Sequence, residues 1–284
     1  MALSEQRLEV GDLEWFYREA KPLRESADRL PVVFLHGLVS QSYSWREVMP
    51  AVAEQGFRAI APDWIGHGFS SRPEKRDFAY TADAFVKAFE DFLTALSVEQ
   101  IHLIVQGFLG VYGVLYAVRN PQRIARLVIV NTPLSPEVKL PGALSRMKLP
   151  LAGEMMTQDP LLVDRTLEGG GPYQVNDEDL TVYRKPFLTT SAAGRALLAT
   201  LRSFKLSATT EEIFQELKQW QSMTLLVWGT ADPWLPTALA ETWANTIPNA
   251  EFSKLEQVGH YAQEDWAEKV TEVIVPFLRR AEVA

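Results

Sequence analysis

The feature that most constrains the fold is an alternation between short apolar runs and longer segments with helical periodicity. The runs lack the regular polar residues of a half-exposed strand, so they are typical of strands buried on both faces of a parallel sheet. In the first half of the chain they occupy residues 31–35, 58–62, 101–105 and 127–130. Amphipathic segments at 42–54 and 81–96, the second with Thr81 as N-cap, supply the crossover helices that parallel strands need. The pattern predicts an α/β fold with a mostly parallel, eight-stranded sheet flanked by helices.

The alternation stops between residues 134 and 222, where turn residues and helical segments replace buried strands. It resumes with predicted strands at 224–228 and 251–255 and a last amphipathic helix that Pro276 should kink or shorten. Near the start of the chain, Gly11-Asp12 indicates a hairpin turn between two short strands. We therefore predict a core domain formed by 1–133 and 223–284, with a helical cap domain at 134–222.

Composition narrows the classes of function. The net charge of -8 argues against nucleic acid or an anionic membrane as partner. The chain has no cysteine, and its four histidines show no metal-binding spacing, so we expect no metal and no cofactor. No apolar stretch is long enough for a membrane span, and the first residues lack the pattern of a secretory signal. These observations favour a cytoplasmic protein.

Two residue types with catalytic potential follow the last two predicted strands. Asp232 comes after the strand at 224–228, and His260 comes after the strand at 251–255. Since the carboxyl ends of parallel strands share one edge of the sheet, we expect these side chains to lie together. A histidine acts as a base when a carboxylate holds its other ring nitrogen. The alternatives are a turn-forming aspartate before a proline and a structural histidine.

The turn after the strand at 101–105 carries a glycine where a nucleophile is expected. A sharp strand-to-helix turn of this kind presents a catalytic side chain in many hydrolases, but Gly107 has none. Shifting the alignment does not help, because none of the neighbouring residues is a nucleophile: Val105, Gln106, Phe108 and Leu109. One interpretation is that Gly107 relieves backbone strain at a turn that needs no nucleophile.

Three segments resemble the motifs of haloalkane dehalogenases. Residues 36–46, H-G-L-V-S-Q-S-Y-S-W-R, resemble H-G-N-P-x-S-S-Y-x-W-R, and residues 61–70 resemble A-P-D-L-I-G-x-G-x-S. Residues 105–110, V-Q-G-F-L-G, resemble V-x-D-W-G-G, in which the Asp is the nucleophile. The loops that contain Asp232 and His260 match the acid and base motifs of that family. The resemblance implies an α/β-hydrolase fold with an inserted helical cap, and it extends to the related epoxide hydrolases.

The departures from those motifs are informative. The family's nucleophile corresponds to Gly107, and its halide-binding Trp and Asn correspond to Phe108 and Leu38, whose side chains have no N–H donor. The resemblance therefore implies that dehalogenation is not available to this chain. Tyr173 and Tyr183 are candidates for the cap tyrosines that activate epoxides.

Three hypotheses follow. The first is an enzyme without a covalent intermediate, such as a hydrolase, in which Asp232 and His260 activate water or abstract a substrate proton, with the backbone N–H groups of Leu38 and Phe108 stabilising the oxyanion. The second is a non-catalytic protein that binds a small hydrophobic ligand beneath the cap. The third is a protein-interaction module with an apolar surface at 147–156. In the first two hypotheses, the pocket beneath the cap is lined by further residues: His36, Gly37, Gln106, Trp234 and Tyr261.

Overall fold

The computed structural model describes residues 3–23 and 29–280, and its centre is one eight-stranded sheet. The prediction of a mostly parallel, eight-stranded sheet flanked by helices is confirmed. The strands are β1 (Ser4–Val10), β2 (Leu13–Ala20), β3 (Val32–Leu35), β4 (Ala59–Pro62), β5 (Ile101–Gln106), β6 (Ile124–Val130), β7 (Met223–Gly229) and β8 (Ala250–Leu255).

The helices lie between and after these strands. Six of them belong to the part of the chain around the sheet: α1 (Val48–Glu54), α2 (Ala82–Ala95), α3 (Gly107–Arg119), α10 (Thr237–Thr246), α11 (Ala262–Asp265) and α12 (Ala267–Arg279). Thr81 caps α2 by accepting a hydrogen bond from the Ala84 N–H, as predicted. The helix expected at 42–54 is instead a 3₁₀ turn at Ser42–Trp45 followed by α1. The last helix continues through Pro276 to Arg279.

The order of the strands brings the candidate residues to one edge. The sheet runs β1-β2-β4-β3-β5-β6-β7-β8, with β1 and β2 antiparallel and β3 to β8 parallel. The loops after β3, β5, β6, β7 and β8 therefore leave from the same edge of the sheet. In open α/β sheets this carboxyl edge is the usual position of a functional site.

The core consists of two apolar layers, one on each face of the sheet. Alternate residues of a strand point to opposite faces, so Val33 and Leu35 pack beneath α2 and α3, whereas Val32 and Phe34 pack beneath α1 and α12. All four side chains are fully buried. Burial on both faces explains why these strands are continuous apolar runs in the sequence.

A helical insertion, defined here as residues 131–222, connects β6 to β7. Its described residues form helices and no strand: α4 (Gly142–Met147), α5 (Ala152–Met156), α6 (Leu162–Glu168), α7 (Asp177–Thr189), α8 (Ser191–Ser203) and α9 (Leu206–Leu217). These helices occupy the segment for which we predict a cap. The division of the chain into a core domain and a cap domain stays a prediction.

An ionic cluster ties the insertion to the sheet domain. The Arg46 guanidinium donates to both carboxylate oxygens of Glu264, each at 2.8 Å, and to Asp179 on α7 at 2.6 Å. The Tyr43 hydroxyl donates to Asp179 at 2.7 Å, and the Tyr183 hydroxyl donates to Glu264. The side chains of Arg46 and Glu264 are only 15% and 4% exposed. The positive charge of Arg46 therefore offsets the cost of removing the carboxylates of Glu264 and Asp179 from water.

We expect Arg46→Met to lower the free energy of unfolding by about 3 kcal/mol, because it leaves the carboxylates of Asp179 and Glu264, which are only 14% and 4% exposed, without their cation. Urea denaturation measures the change. The control is Arg165→Met, which removes a pair with Asp159 from a side chain that is 67% exposed and should cost less than about 1 kcal/mol. Equal losses for the two variants would contradict a stabilising role for the cluster.

Candidate active site

Asp232 and His260 form a hydrogen-bonded dyad at the carboxyl edge of the sheet. The loop after β7 carries Asp232, and the loop after β8 carries His260. His260 Nδ1 lies 2.8 Å from Asp232 Oδ2, and the two residues are 1% and 8% exposed. The structure thus brings together two residues that are 28 positions apart in the chain.

Backbone and side-chain donors fix the orientation of Asp232. Its Oδ1 accepts from the N–H groups of Trp234 at 2.8 Å and Leu235 at 3.1 Å, and its Oδ2 also accepts from Asn131 Nδ2 at 2.8 Å. A carboxylate whose oxygens are bonded in this way can hold an imidazole in one orientation. The loop that follows β7 therefore provides a preorganised acceptor.

Asn131 is a site residue that the sequence reasoning missed. It follows β6 directly with φ of +40°, a left-handed conformation that Asn tolerates better than most residues. Its Oδ1 accepts from the Gly229 N–H at 2.9 Å while its Nδ2 donates to Asp232. Asn131 thereby links the ends of two neighbouring strands, and its position after an apolar run is the only signal in the sequence.

Three aromatic side chains surround the His260 imidazole. The Phe108 ring stacks on it at a centroid distance of 5.4 Å, and the rings of Trp234 and Tyr261 approach to 4.7 and 5.0 Å. The Tyr261 hydroxyl donates to the Leu38 carbonyl at 3.0 Å. The structure brings Trp234 and Tyr261, both predicted pocket residues, to the dyad.

Gly107 occupies the sharp turn between β5 and α3. Its φ of +70° is a conformation that costs any residue with a Cβ atom. A Cβ at this position would lie 3.1 Å from His260 Nε2 and 3.2 Å from the Gly37 Cα, closer than such contacts normally are. The second ring nitrogen of the dyad therefore lies beside the position that a side chain at Gly107 would occupy.

The strand ends around Gly107 pack closely. A Cβ at Gly37 would meet Gln106 Oε1 at 2.6 Å and the Gly107 Cα at 3.3 Å. Gln106 Nε2 donates to the His260 carbonyl at 2.8 Å, whereas its buried Oε1 has no partner among the described residues. The backbone N–H groups of Leu38 and Phe108 likewise donate to no acceptor in the described part of the chain.

Hydrogen bonds to the backbone hold both ring nitrogens of His36, a predicted pocket residue. Its Nε2 accepts from the Trp64 N–H at 3.1 Å, so Nδ1 carries the proton and donates to the Gly37 carbonyl at 2.8 Å. Burial lowers the pKa of His36 below its ordinary value. With both ring nitrogens occupied, neutral His36 anchors the loop after β3 and is not part of the dyad.

The insertion reaches the dyad through a glycine-rich loop. The His260 N–H donates to the Gly170 carbonyl at 2.7 Å. A Cβ at Gly259 would lie 2.5 Å from the Gly171 Cα, so the two backbones approach more closely than side chains would allow. The run of glycines at 169–171 is plain in the sequence, but nothing there predicts its contact with the base.

A second carboxyl group lies behind the base. Asp265 Oδ2 accepts from the Gly259 N–H at 2.7 Å. Burial raises the pKa of Asp265 to about 7, and the nearby carboxylates of Glu264 and Asp232 add to the rise while His260 opposes it. Asp265 therefore titrates near neutral pH and adjoins the loop that positions His260.

Metal-binding and membrane-spanning features are absent from the part of the chain that the structure describes. No group of three His, Asp, Glu or Cys side chains there is arranged to hold a metal ion. None of the described helices combines the length and the apolar character needed to cross a membrane.

Comparison with known proteins shows the family to which the chain belongs. A model of the alpha/beta hydrolase fold family matches residues 31–167. The 2-hydroxymuconate semialdehyde hydrolase of Pseudomonas sp. (strain CF600) is 30% identical over 275 residues, which are 92% of this chain and 91% of that protein. This chain therefore belongs to the alpha/beta hydrolase fold family.

The similarity to haloalkane dehalogenases that the motifs predicted is also confirmed. Haloalkane dehalogenase of Mesorhizobium japonicum is 27% identical over 265 residues, which cover 87% of this chain and 84% of that protein. The crystal structure of haloalkane dehalogenase DatA from Agrobacterium tumefaciens C58 superimposes with a TM-score of 0.83 at 24% identity, over 97% of this chain and 96% of that one. At this identity, the structural similarity shows the fold. The similarity to epoxide hydrolases stays a prediction.

We expect Gly107→Ala to lower the free energy of unfolding by about 1–3 kcal/mol, because it combines the left-handed φ with a Cβ pressed against His260. Urea denaturation again measures the change. Gly11→Ala separates the two causes, since Gly11 has φ of +59° but no atom lies within 4 Å of the point that its Cβ would occupy. A loss no greater at Gly107 than at Gly11 would contradict the close packing described for the site.

We expect Asp265 to make stability fall as pH rises. Its folded pKa of about 7 lies above the unfolded value of about 3.9, so the folded state keeps a proton that the unfolded chain loses between these values. The favourable contribution is complete below about pH 4 and is lost as pH rises through about 7. Asp265→Asn, whose amide oxygen can still accept from Gly259, should remove this component from the unfolding free energy measured across that range. An unchanged pH dependence in the variant would contradict the assignment.

Proposed function

We propose that this chain is a hydrolase in which His260, held by Asp232, activates a water molecule that attacks the substrate directly. The observation that carries the proposal is the intact dyad, whose second nitrogen points at a residue that has no side chain. In this proposal Gly107 takes the place of the nucleophile in the family motif. No covalent intermediate forms on the protein.

The distances support a role for water. A Cβ at Gly107 would lie 3.1 Å from His260 Nε2, so a water molecule in the space into which a side chain at Gly107 would extend is within hydrogen-bond reach of the base. His260 takes one proton from this water as the oxygen bonds to the substrate's carbonyl carbon. Asp232 stabilises the imidazolium that results, as in other carboxylate–histidine pairs.

The remaining steps use the same groups. The free N–H groups of Leu38 and Phe108 stabilise the oxyanion of the tetrahedral intermediate. The imidazolium of His260 then returns its proton to the leaving oxygen as the bond between the carbonyl carbon and that oxygen breaks. The products are a carboxylic acid and an alcohol, and the protein is unchanged.

The surroundings of the base favour a hydrophobic ester or lactone as substrate. Three aromatic rings contact His260, those of Phe108, Trp234 and Tyr261. Because ligand sites lined by aromatic rings bind apolar groups, these rings favour an apolar substrate. Gly170 and Gly171 of the insertion lie against the loop that carries His260. We infer that the insertion acts as a cap and that its displacement admits the substrate.

We also infer that this chain does not share the activity of the relatives named haloalkane dehalogenases. In the motifs that this chain resembles, the aspartate nucleophile corresponds to Gly107, and the halide-binding side chains correspond to Phe108 and Leu38. A glycine offers no attacking atom, and the other two side chains offer no N–H group to a halide. The named activity of those relatives therefore requires groups that this chain lacks.

A second candidate function is the capture of a small hydrophobic ligand without turnover. The observation that favours it is the enclosure of the site, because His260 and Phe108 are each 1% exposed and Gly37 touches Gly107. In this case the dyad would be a structural remnant that positions two loops. Measurement of turnover separates this candidate from the hydrolase.

We expect His260→Gln to lower kcat by about 10²–10⁴-fold on a panel of activated esters and lactones, because it removes the general base. His102→Gln is the matched control, since His102 is also buried but lies on β5 away from the dyad. Contaminating hydrolases would give equal rates in the wild type and both variants. That outcome, or no turnover at all by the wild type, would contradict the hydrolase. A copurifying hydrophobic ligand that is not turned over would then support the second candidate.

A further inference from the structure

One segment of the insertion carries a concentration of positive charge that opposes the charge of the whole chain. Residues 138–151 contain Lys139, Arg146 and Lys148 and no acidic residue, whereas the chain as a whole has a net charge of -8. Lys205, at the start of α9, joins this group beside a shared cleft. The net charge argues against an anionic membrane only if it is evenly spread over the surface, and the structure shows that it is not.

These cations lack ionic partners. Among the described residues, Lys139, Arg146 and Lys205 form no ion pair, and Lys148 Nζ reaches only the Phe204 carbonyl at 3.5 Å. The nearest acidic side chain along α5, Glu154, is paired with Arg202 at 2.9 Å. Charges without partners on an otherwise acidic protein remain available to an external anion.

Three of the lysines line one cleft together with apolar side chains. The cleft has a volume of about 540 Å³, and no acidic residue lines it. Lys139, Lys148 and Lys205 surround it, and Phe204 is buried at its base. The lining therefore combines positive charge with apolar surface, which suits an amphiphilic anion.

Exposed apolar side chains follow Lys148, one of the residues that line the cleft, in the chain. Leu149, Leu151 and Met155 are 57%, 78% and 74% exposed, although large apolar residues usually pack inside.

Leu151 has φ of +66° and ψ of -46°, and the Ala152 N–H donates to the Pro150 carbonyl at 2.8 Å. This is a γ-turn with a left-handed central residue, a rare and strained form. The backbone thus holds a leucine outward at a conformational cost.

We propose that this part of the insertion docks on an anionic lipid surface. The docking surface consists of the four cations and the three exposed apolar residues: Lys139, Arg146, Lys148, Lys205, Leu149, Leu151 and Met155. Its lysines contact lipid phosphates, while its leucines and methionine enter the boundary between headgroups and acyl chains. Positive charge beside protruding aliphatic side chains fits a membrane surface better than it fits an acidic protein partner. An acidic protein would attract the cations but would have no apolar layer for the aliphatic side chains to enter. The proposal does not rest on the hydrolase activity.

Vesicle sedimentation tests the proposal. The wild type should bind vesicles of phosphatidylcholine mixed with phosphatidylglycerol and should bind pure phosphatidylcholine vesicles far more weakly. The triple variant Lys139→Gln, Lys148→Gln, Lys205→Gln should bind the mixed vesicles about a hundredfold more weakly, because each cation contributes roughly a factor of five near an anionic surface. The control variant Lys87→Gln, Lys254→Gln, Lys269→Gln has the same change in charge at α2, β8 and α12 and should bind like the wild type.

A second pair of measurements separates a membrane from a free phosphate. Leu149→Ser combined with Met155→Ser should weaken vesicle binding by roughly tenfold, since interfacial binding scales with buried apolar area. Soluble glycerol phosphate at millimolar concentration should not displace the protein from vesicles. Four outcomes would each overturn the proposal. The first two are displacement by glycerol phosphate and unchanged vesicle binding in the Leu149 and Met155 variant. The others are equal losses in the two lysine variants and no binding of the wild type to anionic vesicles.

Discussion

The structure of the site depends on the close packing around Gly107, where a Cβ atom would lie 3.1 Å from His260 Nε2 and 3.2 Å from the Gly37 Cα. Neither glycine can gain a Cβ without moving the other strand end or the imidazole. The left-handed φ of Gly107 turns the chain from β5 into α3 within one residue. His260 Nε2 lies beside this glycine, so the proposed chemistry at this position uses a water molecule in place of a side chain.

The dyad survives because three parallel strands hold it. Asp232 and His260 follow β7 and β8, and Asn131 after β6 binds both the carboxylate and the Gly229 N–H. A buried carboxylate is costly unless its oxygens are bonded, and here each oxygen accepts at least two hydrogen bonds. This arrangement beside a glycine supports the proposal that His260 acts on water.

The sequence was sufficient to predict the parallel sheet, because strands buried on both faces leave continuous apolar runs. It also indicated Asp232, His260 and Gly107, since each follows such a run. It did not indicate the role of Asn131 or the neutral, doubly bonded state of His36, because both depend on hydrogen bonds to residues distant in the chain. The cluster around Arg46 was missed for the same reason, and the distribution of charge over the insertion cannot be read from a net charge.

The most direct test of the proposed chemistry is a single-turnover reaction with a hydrophobic ester or lactone in water enriched in ¹⁸O, followed by mass spectrometry of the product and of the intact protein. Attack by water activated by His260 predicts one ¹⁸O atom in the product acid and no mass increase on the protein at any time. A covalent adduct, or a product that carries no ¹⁸O after the first turnover, would contradict the central claim.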